Sequence, residues 1–170
     1  RQGHSGAIVR EHWRSGQGRH SFGRIYNESL MNSPRKTKVG DDIRSTARER
    51  AVHFLYEAES REIEVDKILA AQVLGVDDLV VSLAKGTESR RKETDELISE
   101  FSHTWTIQRM PAIHRNVLRL AIYELLERHD VPVAVVINEA VQLVKRFSTE
   151  ESGRYVNGVL SAISKRVRAN

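Results

Sequence analysis

Residues 148–155 read Ser-Thr-Glu-Glu-Ser-Gly-Arg-Tyr, a run of hydroxyls, an acidic pair, a guanidinium and a phenol. An aromatic ring offers a face on which a nucleobase stacks, and a neighbouring arginine offers a fork matched to phosphate. Tyr155 or Phe147 suits the first role and Arg154 the second, with Glu151 and Ser152 as polar neighbours. The same residues also suit a capped turn between two helices with Tyr155 half buried, because an aromatic there needs no ligand. A second group of cations, Arg35, Lys36, Lys38, Arg44, Arg48 and Arg50, approaches and enters a predicted helix. Cations at a helix N-terminus oppose the macrodipole by about 0.3–1 kcal/mol each, so the cluster points to a polyanion that offsets the cost. A solvated helix end is the plainer reading. Asp41 and Asp42 interrupt the run and make Arg44 and Arg48 the better candidates, with His53 projecting on the same helix.

Other chemistries find little support. With no cysteine, the sequence has no disulfide, thiolate metal site or cysteine nucleophile. His4, His12 and His20 are widely spaced and lack carboxylate partners nearby, so they do not form a metal set. No Gly-rich phosphate loop, nucleophile elbow, paired metal-binding histidines or dinucleotide fingerprint occurs. The sequence therefore reads as non-catalytic, without cofactor or metal.

The elements that must position these residues are all helical by pattern. Val136, Ala140, Leu143, Val144 and Phe147 fall at helical spacing after Pro132, predicting a helix over Val133 to Phe147. Ser148 with Glu151 has the form of a capping box opening a last helix, whose Tyr155, Val156, Val159, Leu160 and Ile163 face inward. Gly158 inside that helix predicts a close approach by another backbone or a ligand. Lys165, Arg166 and Arg168 end it, where cations favour the dipole. Upstream, Ala47, Ala51, Phe54, Leu55 and Ala58 make one stripe of a first helix, from which Arg48 and His53 project elsewhere. Val65 to Leu74 predicts a short helix ended by Gly75, Asp77 to Lys85 starts another, and Thr87 to Trp105 supplies a further amphipathic stretch with Leu97, Ile98, Phe101 and Trp105 inward. Trp105, Ile107 and Met110 are expected to plug a junction between two halves. Pro111 opens a central helix that is apolar on more than one face and so belongs in the middle, with His114 near an exposed start.

Charge is divided along the 170 residues. Eight of the 27 Lys and Arg fall in residues 1–40 against two of the 23 Asp and Glu. A basic arm on a nearly neutral body suggests nucleic acid as partner. Dispersed apolar residues, glycines and serines in 1–30 predict a disordered segment. No apolar run is long enough to span a bilayer, and the first twenty residues lack a signal-peptide core, so a soluble cytoplasmic protein is expected.

Four segments carry a resemblance. Ala-Arg-Glu-Arg-Ala-Val-His-Phe-Leu-Tyr at 47–56, Arg-Asn-Val-Leu-Arg-Leu-Ala-Ile-Tyr-Glu-Leu at 115–125, Ile-Asn-Glu-Ala-Val-Gln-Leu-Val-Lys at 137–145 and Tyr-Val-Asn-Gly-Val-Leu at 155–160 resemble, in order, segments of the bacterial transcription antitermination factor NusB family. The resemblance implies an all-α bundle of about seven helices in two sub-bundles over residues 41–170, after a disordered basic extension at 1–40 whose natural start is Met31. It implies binding of boxA-type nascent RNA together with NusE, the small-subunit ribosomal protein, and entry into an RNA polymerase antitermination complex on ribosomal RNA operons. Carried over by position, RNA contacts fall to Arg44, Arg48, His53, Phe147, Glu151, Ser152, Arg154 and Tyr155, and a NusE contact to Tyr56. His114 stands where the family has an acidic residue facing the ribosomal partner. Three alternatives stay open: a homodimer that buries the RNA surface, a generic helical RNA-binding protein or chaperone, and a NusB-like domain separated from a ribosomal RNA cytosine methyltransferase.

Overall fold

The computed structural model describes residues 39–169. The expectations for residues 1–38, including Arg35, Lys36, Lys38 and the three early histidines, lie outside them. Seven helices follow in order: α1 (Val39–Arg61), α2 (Val65–Ala70), α3 (Asp78–Ser89), α4 (Arg91–Phe101), α5 (Ala112–Glu127), α6 (Val133–Phe147) and α7 (Glu150–Val167). The described residues contain no strand, and none of their helices is long and apolar enough to cross a membrane.

Helix α5 is the hub of two sub-bundles. It packs against α1 and α3 on one side and against α4, α6 and α7 on the other. Its apolar residues run round the circumference, so Ile113, Val117, Leu118, Leu120, Ala121, Ile122 and Leu125 are all buried, as the central-helix pattern predicts. The polar residues that follow them inward mostly have partners. Arg119 donates to Asp95 at 2.6 and 2.8 Å and to Glu59 at 3.0 Å, and Asn116 donates to Glu59 at 2.7 Å. Arg115 also pairs with Glu59.

Local chemistry sets the helix ends. Glu62, at φ 55°, takes the left-handed position after α1, and the Ile63 amide returns to the Ala58 carbonyl at 3.0 Å. Asp77 caps α3 by accepting from the Leu79 amide at 2.8 Å. Pro111 and Pro132 stand just ahead of α5 and α6. The last described arginine closes the assembly: the Arg168 guanidinium donates to the carbonyls of Glu124, Leu125 and Arg128 at the end of α5 and to that of Val131, at 2.7–2.9 Å. Sequence patterning assigned Arg168 only a favourable interaction with its own helix dipole.

Several boundaries depart from expectation. Helix α2 stops at Ala70, leaving Val73 and Leu74 in an exposed loop. Helix α3 continues through Thr87, whose hydroxyl is held by the Leu83 carbonyl at 2.7 Å, and the chain breaks at Arg90 before α4. Phe101 ends α4, so Trp105 lies in the connecting loop, partly exposed instead of inside a helix. Nothing lies within 4 Å of a side chain built at Gly158, so no close approach explains that glycine. The approach occurs at Gly86, where a methyl group would enter the Tyr123 ring.

Candidate RNA-binding surface

The joint between α6 and α7 is built from its hydroxyls. Ser148 leaves helical geometry at φ −151°, ψ −136°, which ends α6. Thr149 then takes extended geometry, and its hydroxyl accepts from the Ser152 amide at 3.3 Å. Thr149, and not Ser148, is therefore the cap. The Ser148 hydroxyl instead meets that of Ser152 at 2.9 Å, and Thr149 lies 3.1 Å from the same oxygen. Ser152, expected among the RNA contacts, is buried with its hydroxyl shared between Ser148 and Thr149, which gives it a structural part in the joint. Gly153 has a reason that sequence did not reveal: the Lys145 stem crosses it, only 2.8 Å from where a β-carbon would sit, before its ammonium pairs with Glu150 at 2.8 Å.

Glu151 and Arg154 are exposed on the first turns of α7. Tyr155 is half buried, with its hydroxyl 2.5 Å from the Ser102 hydroxyl and its ring 5.1 Å from that of Trp105. Phe147 is half buried against the core. Behind the joint, Arg146 pairs with Glu49 and so ties the end of α6 to α1.

The cations of α1 divide. Arg44 is exposed. Arg48, expected to project away from the apolar stripe and meet RNA, is only 5 % exposed and donates through Nε and Nη2 to both Glu124 carboxylate oxygens at 2.9 Å, with Glu139 3.6 Å away. Burial opposes its charge, yet the hydrogen bond and attraction of Glu124 outweigh it and raise its pKa. Arg48 is thus a buried strut between α1 and α5. Its position, seven residues before Leu55 and so about 20° from it on the helical wheel, put it at the edge of the apolar stripe, and only its partner 76 residues away draws it inward. His53 is half buried, and burial lowers its pKa despite the opposing pull of Glu57. Tyr56 is also half buried.

His114 is a further correction. It is 2 % exposed, not at an open helix start, and lies parallel beneath Trp105 with ring centroids 5.8 Å apart. Its Nδ1 has no hydrogen-bond partner, and burial pushes its pKa down to about 4. No group of three or more metal-ligating side chains gathers among the described residues.

Seven helices around a buried centre, with a capped joint on which exposed Arg154 stands beside Tyr155, define an all-α bundle in two sub-bundles. Comparison with known proteins supplies the family. The NusB family model matches residues 45–165. The transcription antitermination protein NusB of Saccharopolyspora erythraea is 47 % identical over 71 % of this chain and 86 % of its own. Among solved structures, T. maritima NusB superposes with a TM-score of 0.65 at 34 % identity, covering 72 % of this chain and 90 % of that one. A complex of antitermination factors NusB and NusE with double-stranded RNA contains a chain that superposes with a TM-score of 0.62 at 28 % identity, covering 72 % of this chain and 96 % of that one. The chain belongs to the NusB family.

Proposed function

We propose that this protein is a transcription antitermination factor of the cytoplasm that binds boxA-type nascent RNA jointly with NusE and enters an RNA polymerase complex on ribosomal RNA operons. The carrying observation is the α6–α7 joint, where exposed Arg154 and half-buried Tyr155 adjoin a second aromatic ring. Cation and ring are the two chemistries that hold single-stranded RNA without catalysis. A relative's complex with NusE and RNA supports the reading. Arg44, Arg154, Tyr155 and, at the margin, Phe147, Glu151 and His53 form the proposed RNA contacts, and Tyr56 the proposed NusE contact. Arg48 and Ser152 act by holding the surface, not by touching RNA. Docking of NusE on the same RNA adds effective concentration, so each component strengthens the other's binding.

The test is binding of a boxA-containing RNA, a scrambled strand and a duplex, with and without NusE, over a salt series. Selective binding of the boxA strand, strengthened by NusE and weakened by Arg154→Ala and Tyr155→Ala, is expected. Replacing Tyr155 removes a stacking face worth roughly 1–3 kcal/mol. Replacing Arg154 removes one phosphate contact and lowers the salt slope by about 0.7. Equal, strongly salt-dependent binding to all RNAs without a NusE effect overturns the reading in favour of a generic RNA binder. Sedimentation over a concentration series shows whether a homodimer competes with RNA.

A further inference from the structure

Trp105 is the aromatic residue among the large apolar side chains left exposed in the described part of the molecule. It lies in the non-helical segment between α4 and α5, and that segment is held firmly. The Ser102 hydroxyl is 2.6 Å from the Trp105 carbonyl and 2.5 Å from the Tyr155 hydroxyl. Arg115 donates to the carbonyls of Ile107 and Met110 at 2.8 and 2.9 Å. The indole lies parallel to the buried His114 ring, 7° from coplanar, and meets Tyr155 at 43°. With His114 packed behind it, the indole has no room to retreat inward. It remains 37 % exposed, so part of the ring is open to a molecule from outside.

The surroundings select the kind of molecule that fits there. Residues 102–111 contain His103 and Arg109 and no acidic side chain, while Arg115, in the first turn of α5, is already paired with Glu59. His103 and Arg109 are exposed, and Arg154 precedes the tyrosine that touches the indole. A fixed aromatic ring with Arg109 in its own loop and Arg154 beside its neighbour suits a polyanion that carries flat rings. We propose that Trp105 is a stacking platform for an unpaired nucleobase of single-stranded RNA, extending the RNA path from Arg154 and Tyr155 onto the loop before α5. The inference rests on the RNA reading above and adds a site to it.

Two tryptophans, Trp13 and Trp105, occur in the sequence, so the full chain carrying Trp13→Phe reports on Trp105 alone. That variant is titrated with the labelled boxA strand, following label anisotropy for binding and indole emission for stacking. Quenching that saturates with anisotropy, and is absent when a blunt duplex binds, is the expected result. In the otherwise native chain, Trp105→Ala should weaken strand binding roughly ten-fold while Trp105→Phe retains most of it, and neither should change the salt slope, because no phosphate contact is lost. Circular dichroism melting of both variants separates a folding defect from a lost contact, and Trp105→Phe keeps the proposal testable if Trp105→Ala unfolds. Saturable strand binding with unchanged indole emission overturns the platform and leaves the RNA reading standing. Quenching by NusE without RNA assigns the ring to a protein contact and also overturns it. If no RNA binds at all, both proposals fall.

Discussion

At the residue scale, the most consequential side chains are those that the bundle has drawn inward. Arg48 and Glu124 neutralise each other in a nearly dry site, so removing Arg48 leaves the buried Glu124 carboxylate without its guanidinium. Arg48→Ala is expected to lower unfolding stability by about 3–5 kcal/mol in urea titration. Any RNA-binding loss in that variant should follow the unfolded fraction, whereas the loss in Arg154→Ala should appear in fully folded protein. His114 gives a pH signature. Its folded pKa lies near 4, below its ordinary 6.5, so the unfolded chain binds the extra proton first as pH falls. The stability due to the neutral ring is present above pH 6.5 and is lost as pH falls towards 4, by as much as about 3 kcal/mol. Thermal melts between pH 7 and 4 should show this slope, reduced in His114→Phe. His53 is lowered in the same direction and leaves a remainder. Below the ordinary carboxylate value, Glu59 adds a further loss, because Arg115, Arg119 and Asn116 overcome its burial and depress its pKa.

At the element scale, periodicity located the helices well. The spacing of Val136, Ala140, Leu143 and Val144 sufficed for α6, whose observed bounds match the expected ones. The apolar circumference of α5 correctly placed it at the centre. What periodicity left obscure depends on partners remote in sequence. Nothing near Arg48 announces Glu124, nothing near Glu49 announces Arg146, and Trp105 fits an amphipathic pattern although its helix has already ended. At the joint, the residue types were legible, but the hydroxyl geometry that buries Ser152 and makes Thr149 the cap was not. The glycines show the same division. Gly86→Ala forces a methyl group into the Tyr123 ring and should cost roughly 1–3 kcal/mol, whereas Gly158→Ala meets open space within a helix and should stabilise the fold by about 1 kcal/mol. Paired chemical denaturation curves of the two variants check the opposite signs.

At the scale of the whole molecule, the asymmetry is electrostatic. The basic excess lies ahead of the helical body, which carries its own cations largely in ion pairs such as Arg48–Glu124, Arg119–Asp95 and Arg146–Glu49. Binding selectivity should therefore reside in the body. Deleting residues 1–30 is expected to leave the melting temperature and the preference for boxA over a scrambled strand unchanged, while lowering affinity for every RNA together at low salt. Calorimetry and the same titrations measure both. A loss of folding or of sequence preference would give the extension a structural role instead.

Arg168 adds an order of events to this architecture. The carbonyls that it gathers belong to the end of α5 and the turn that follows, some forty residues earlier in the chain. Translation proceeds from the N-terminus, so those groups leave the ribosome well before the side chain that holds them. Until residue 168 is in place, the end of the central helix lacks this clasp: the Glu124 and Arg128 carbonyls keep only the amides of Arg128 and Val131, and the Leu125 carbonyl turns to water. The Arg168 side chain, just past the end of α7, thus acts as a clasp that arrives after the helix it closes, so the end of α5 is completed only once α7 is in place.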